Sequence, residues 1–234
     1  MGSTPKERIK AITKKLGIYT FISEQRAMRR NKTINAKGGS GAYWEERYSG
    51  GGTSGSGSYG QLQAFKAEVL NGFLDKHKIE SAIEWGCGDG SQLGRINYSR
   101  YIGLDVSQTA VNMCRAKYAY DTTKTFYVAT EYEPSMRSEC ALSLDVIFHL
   151  LEDDVYSNYM NNLFGSAEKF VCIYSSNFES AQLSHMRHRM FTDYIDTHWP
   201  DWGLAGQVKN RYPYNEMDPD GTSLADFYFY EYRA

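Results

Sequence analysis

The chain has 234 residues, 41% of them hydrophobic and 23% charged, with a formal net charge of −2 at pH 7. That balance suits one α/β domain with decorations, and a net charge so close to zero argues against a whole-molecule nucleic-acid binder. No apolar run is long enough to span a bilayer, and the four cysteines (87, 114, 140 and 172) form no C-x-x-C pair. A reducing cytoplasm is therefore expected, with neither a disulfide framework nor a zinc site.

The first 39 residues carry ten Lys and Arg against two Glu, which leaves 16 basic and 26 acidic residues for the remainder. A helix is expected over residues 5–30, with Ile9, Ile12 and Leu16 on one face and basic side chains on the others. Such a segment suits peripheral contact with an anionic membrane or a partner, and equally a dock on its own domain. Residues 35–60 are the most glycine-rich stretch, with Trp44, Tyr48 and Tyr59 bracketing S-G-G-G-T-S-G-S-G-S. Composition reads this run as a flexible linker. The aromatic brackets read it instead as a lid, its backbone and the hydroxyls of Ser54, Ser56 and Ser58 closing over a ligand. The expected division is residues 1–60, basic helix and Gly/Ser-rich lid, and 61–234, the main domain.

An amphipathic helix follows at 61–77, with Leu62, Phe65, Val69, Phe73 and Leu74 on one face. A strand at 81–85 runs into I-E-W-G-C-G-D-G-S-Q-L-G, residues 83–94, where Gly86, Gly88 and Gly90 alternate. A second apolar run, 101–104, ends in Asp105. Strand, glycine turn, helix start and an acid about 20 residues on make a nucleoside-binding βαβ unit. A helix at 107–118 with Ser107 as N-cap, a strand at 125–130 and a polar loop at Glu131, Tyr132 and Glu133 come next. A strand at 140–148 leads to His149, followed by a helix at 153–164 and a buried strand at 169–175. Residues 203–209 and 225–232 form an antiparallel hairpin around Pro213, Pro219 and Gly221. The whole predicts a Rossmann-like, seven-stranded, mostly parallel sheet with helices on both faces, a C-terminal antiparallel hairpin and an N-terminal helical, Gly-rich extension.

E-W-G-C-G-D-G resembles motif I of class I S-adenosylmethionine (SAM) dependent methyltransferases, whose consensus is E/D-x-G-x-G-x-G. Y-I-G-L-D-V-S resembles that family's ribose-binding strand end, and L-S-L-D-V-I-F-H-L-L-E-D resembles its motif IV. The likeness covers about residues 61–234. More narrowly, W-E-E-R-Y, S-G-S-G-S-Y-G, R-H-R-M-F-T and D-F-Y-F-Y-E resemble bacterial methyltransferases found with surface-polysaccharide glycosyltransferases. The resemblance implies SAM as cofactor, S-adenosylhomocysteine (SAH) as product, and a saccharide or other small-molecule acceptor methylated on oxygen. Gly86, Cys87, Gly88 and Gly90 would then hold the backbone against the cofactor, and Asp105 would grip the ribose beside Val106. Glu84 would orient the loop or the methionine ammonium, Glu131 or Tyr132 would meet adenine, and Tyr59 would close from the lid. Leu144, Asp145 and Val146 would form the floor near the methyl group.

A hydroxyl acceptor needs a positioned base. His149 is the expected one, titrating near neutrality and oriented by Asp145 if the strand exit curls, with His185 and His188 behind it. Arg187 and Arg189 would pair with a phosphate or carboxylate on the acceptor, and Trp44 and Tyr48 would offer it aromatic faces. The sequence lacks the N/D-P-P-Y/F signature of amino-methylating nucleic-acid enzymes, and no clear acidic triplet implies a metal. Methylation of a small metabolite or protein side chain, or a non-catalytic SAM-fold binding role, are the alternatives.

Overall fold

The computed structural model describes residues 38–182 and 185–233. The basic helix expected over 5–30 lies outside them. Seven strands form one sheet: β1 (Ser81–Trp85), β2 (Arg100–Asp105), β3 (Lys124–Val128), β4 (Ser138–Leu144), β5 (Ala167–Ser175), β6 (Trp202–Val208) and β7 (Asp226–Tyr232). Their spatial order is β3-β2-β1-β4-β5-β7-β6. The first five are parallel, and β7 runs antiparallel between β5 and β6. The expected sheet and terminal hairpin are both present.

Strand side chains alternate between two cores, as the period of two requires. Cys140 and Leu142 of β4, Cys172 of β5 and Phe227 and Phe229 of β7 face one core. Ala141, Val171, Ile173, Tyr228 and Tyr230 face the other. Helices α2 (Gly60–His77) and α3 (Gln108–Lys117) cover the first, and α4 (Asp153–Gly165) and α5 (Phe191–His198) the second. Ser107 caps α3 as expected, its hydroxyl accepting from the Ala110 N–H at 3.1 Å. Among the described residues no helix is long and apolar enough to cross a membrane.

Two local differences shape the site. The strand expected to reach Phe148 stops at Leu144. Asp145 takes φ 59°, its N–H still donates to the Tyr174 carbonyl at 2.9 Å, and residues Ile147–His149 form one 3-10 turn. The apolar run continues past the strand because Ile147 in that turn is buried as deeply as a strand residue. The second difference is α1 (Gly39–Ser49), a helix where a glycine-rich loop is expected. Only Ser40 and Tyr48 of α1 are buried, so its own amphipathicity is weak. Tertiary bonds hold it: the Ser40 N–H and hydroxyl donate to Glu152 at 2.9 and 2.7 Å, and Ser107 Oγ donates to Glu45 at 2.6 Å. Residues 50–60, none of them buried, are tied to the domain by hydrogen bonds. The Ser54 N–H donates to Asp89 at 3.0 Å, and the Asp89 N–H returns a bond to Ser54 Oγ at 3.0 Å.

Candidate functional site

The carboxyl ends of β2, β1 and β4 lie side by side, and the chain leaves each through a turn. Gly86 and Gly88 follow β1 at φ 89° and 56°, a region that disfavours side chains. A side chain on Gly86 would collide with Val146 beyond β4, and one on Gly88 with Ser54 and Tyr48 of the N-terminal segment. The loop is thus pinched between the exit of β4 and the glycine-rich segment above it.

Three carboxylates surround this loop. Asp105, 6% exposed, accepts from the Gly88 N–H and the Ser107 N–H, each at 2.9 Å and each on a different oxygen. Burial outweighs those bonds and lifts its pKa to about 6. Glu84 is buried on β1 and accepts from Tyr101 Oη at 2.6 Å, and burial raises it to about 7. Asp89 accepts from Ser54 N, Tyr59 Oη and Ser91 N, so it ties the N-terminal segment to the loop.

A cavity of about 730 Å³ opens over these strand ends. Expected residues that line it are Glu84, Gly86, Cys87, Gly88, Asp105 and Val106 around the loop. Leu144, Asp145, Val146 and His149 line it beyond β4, and Trp44 and Tyr48 from α1. The rest of the expected set stands elsewhere. Gly90 packs against Cys114 and Tyr118. Tyr59 spends its hydroxyl on Asp89 at 2.7 Å, bracing the loop from outside. Glu131 caps its own turn by accepting from the Val128 N–H at 2.8 Å, and Tyr132 lies edge-on to Trp85, so Ala129 is the residue of that turn in the cavity wall.

The His/Arg cluster is also corrected. Arg187 and Arg189 both donate to Asp153, at 2.9 and 2.6 Å. Arg189 is 7% exposed, donates to the carbonyls of Leu150 and Leu151, and lies over the Tyr156 ring. These guanidiniums fasten the segment before α5 to the start of α4 and leave no arginine pair for an anionic acceptor. His188 shares a 2.6 Å bond with Ser176 Oγ and stacks on Phe178. His185 is stacked between Tyr43 and His149 at 5.1 Å from each. Neither lines the cavity.

His149 does line it, on terms the sequence did not suggest. Its Nδ1 stands 3.0 Å from the His185 carbonyl. A carbonyl only accepts, so Nδ1 carries the proton and Nε2 is left as an acceptor. Burial, with the positive fields of His185, Arg47 and His188, pulls its pKa down to about 3. The ring is therefore neutral throughout the physiological range rather than titrating near neutrality. Asp145 does not orient it: the strand exit curls, but the Asp145 carboxylate binds Lys66 Nζ at 2.6 Å.

Among the cavity residues that the sequence did not point to, Lys66, Gln92, Asn158 and Asn162 carry polar groups into the wall. Lys66 is 1% exposed, and its ammonium also lies 5.3 Å from the Tyr174 ring. Its signal was its place four residues after Leu62 and four before Leu70, both buried on α2. Gln92 donates to the Gln63 carbonyl at 3.2 Å while its Oε1 is buried with no partner among the described residues. Asn158 and Asn162, one turn apart on α4, present amides to the wall.

This set fits a nucleoside with a charged amino-acid tail. Each Asp105 oxygen accepts one bond, leaving capacity for the two hydroxyls of a ribose. Val106, Ala129 and Leu144 supply apolar surface for a base, and Glu84 and the open acceptor of Gln92 supply oxygens for the ammonium of such a tail, while Lys66 is held by Asp145. The volume falls within the range of about 300–1,000 Å³ usual for such sites.

No protein-family profile and no curated protein matches the sequence. Solved structures do match its fold. The methyltransferase domain of bacterial CtHen1-C superposes with a TM-score of 0.56 at 15% identity, over 72% of this chain and 97% of that one. The N-methyltransferase NodS from Bradyrhizobium japonicum WM9, solved with SAH, gives 0.58 at 11% identity over 73% and 85%. Magnesium protoporphyrin IX methyltransferase from Synechocystis PCC 6803, also with SAH, gives 0.52 at 14% identity over 73% and 83%. At these identities the likeness establishes the fold, the Rossmann-like fold shared by these methyltransferases.

Proposed function

We propose that the chain is a SAM-dependent methyltransferase acting on an uncharged, hydroxyl-bearing acceptor, a saccharide or glycan precursor. The observation that carries the cofactor is the buried Asp105 carboxylate, bonded to the glycine loop and lining a cavity of nucleoside size. When bound, SAM supplies a methyl group on a positive sulfonium, ready for in-line displacement. The chain's own residues do the rest. Gly86 and Gly88 let backbone approach the ligand, Asp105 takes its ribose, and the five cavity carboxylates Asp89, Asp105, Asp145, Glu152 and Asp154, against the ammonium of Lys66 as the one cationic side chain in the wall among the described residues, favour a cationic ligand. Holding donor and acceptor in line supplies much of the acceleration in such a site.

The saccharide reading rests on the local likenesses of the sequence and on the character of the wall. Trp44 offers an aromatic face and His149 an unprotonated Nε2, with its ring edge-on to Trp44 at 4.9 Å. Arg187 and Arg189 are both bonded to Asp153, so that pair is not held out to an anionic acceptor. The test is incubation with labelled SAM and a panel of neutral glycosides, anionic sugars, amines and peptides, followed by mass spectrometry. Label on neutral glycosides is expected. Label confined to peptides, amines or anionic sugars would overturn the acceptor class, and label on none of the panel would count against transfer to any of these classes.

A further inference from the structure

Resting on that cofactor reading, we infer that Asp145 is a catalytic residue: its carboxylate faces the transferred methyl group and receives the acceptor's proton, with Lys66 as its positioning residue.

The placement follows from the sheet. Strand order puts β1 between β2 and β4, so a ligand whose ribose lies on Asp105 and whose chain crosses the glycine loop reaches the end of β4 after two strand spacings, on the order of 10 Å. Asp145 is the first residue beyond β4, and the next, Val146, packs into the space that a side chain on Gly86 would take. The backbone at Asp145 is left-handed, φ 59°, a conformation that a side chain of this kind adopts at a cost and that clusters at functional sites. The surroundings enforce it. Its N–H is fixed to the Tyr174 carbonyl at 2.9 Å, and a side chain on Gly57 would come within 2.9 Å of Oδ2. Lys66 holds Oδ2 at 2.6 Å, while Oδ1 carries no hydrogen bond among the described residues. The result is a carboxylate in the cavity wall with one oxygen fixed and one unengaged.

That arrangement suits an acceptor whose nucleophilic atom bears a proton, a hydroxyl or a neutral amine. The acceptor's lone pair forms the new bond to the methyl carbon, the carbon–sulfur pair stays on sulfur, and the acceptor's proton passes to Oδ1 and then to water. Acceptor and SAM thus become methylated acceptor, SAH and a released proton. His149, neutral with Nε2 as acceptor, orients the same substrate from the Trp44 side.

The test needs no acceptor. Sinefungin carries an aminated carbon where SAM has its sulfonium and methyl, so its amine probes what faces the methyl position. Calorimetric titration of wild type, Asp145→Asn and Lys66→Met with sinefungin and SAH should show a selective effect. A hydrogen bond to a charged group corresponds to roughly tenfold or more in affinity. Asp145→Asn should therefore weaken sinefungin at least about tenfold while SAH changes by less than about threefold. Asn tolerates the left-handed backbone. Should the unpaired lysine prevent folding of that variant, the double change Asp145→Asn with Lys66→Met removes both charges and should show the same selective loss. Lys66→Met alone should shrink the preference for sinefungin over SAH with SAH affinity held, which a purely structural lysine would not do. Equal losses on both ligands, or loss on neither, overturns the assignment. Failure of wild type to bind either ligand overturns the cofactor reading, and this inference with it.

Discussion

Glu84 and Asp105 keep protons that the unfolded chain has lost, because burial lifts them to about 7 and about 6 from ordinary values of 4.5 and 3.8. For a raised carboxyl the folded state binds the extra proton, so its contribution is full below the unfolded pKa and is lost as pH rises through the folded one. His149 works in the opposite sense: held neutral down to about 3, its contribution is present above 6.5 and lost as pH falls towards 3. The difference in Tm between Glu84→Gln and wild type isolates the first effect. It should move in the variant's favour as pH rises from 4.5 to about 7, with roughly 2–4 °C for each kcal/mol in a chain of this size. A difference that is constant across that range contradicts the buried, protonated Glu84. For His149 the check is ring nitrogen NMR. The neutral tautomer protonated on Nδ1 should persist across the physiological range, and an inflection near 6.5 would show the ring to be solvated. Both carboxylates were legible in the sequence as positions, Glu84 before the first glycine and Asp105 closing the second strand. Their protonation was not, because it depends on how deeply Tyr101 and the α3 start bury them.

The roof of the site is made by α1 and residues 50–60. Glu45 latches α1 to Ser107 and Thr109 at the α3 N-terminus, and Ser40 latches its other end to Glu152. A ligand beneath should slow amide exchange throughout residues 39–60, and Glu45→Ala should speed exchange there without ligand while the core strands stay protected. Exchange that SAH leaves unchanged would mean that the roof is fixed cover and not a lid. This is also where the sequence was least informative. Strands β1, β2, β4 and β5 announce themselves because most of their residues are buried on both faces and the apolar runs are continuous, whereas β3 at the sheet edge buries only Phe126. α1 has no such signal: glycine opens it and its hold on the domain is a handful of polar bonds to residues more than 60 positions away. Arg187 and Arg189 misled for a related reason, since a charge-dense stretch reads as ligand-binding until Asp153 is seen to occupy it.

Over the whole molecule, the sheet order brings Lys66 from α2 on one face and Asn158 from α4 on the other to one cavity at the strand ends. No local pattern encodes that meeting, although each helix was legible by its own period. The charge asymmetry was plain in the sequence: the first 39 residues are net basic and the remainder net acidic. We propose peripheral contact of that segment with anionic lipid. Cosedimentation with anionic vesicles should appear at low salt and fade as salt screens the charges, and none at low salt would argue for docking on the domain instead. The central claim, that the cavity is a SAM site gripped by Asp105, is tested most directly by titrating wild type and Asp105→Ala with SAM and SAH in a calorimeter. Each charged hydrogen bond to the ribose contributes about 1.5–3 kcal/mol. Wild type should bind both ligands at one site per chain, and Asp105→Ala should lose at least about tenfold in affinity with its Tm transition still cooperative. Heat-silent wild type, or a variant that binds as tightly as wild type, would contradict it.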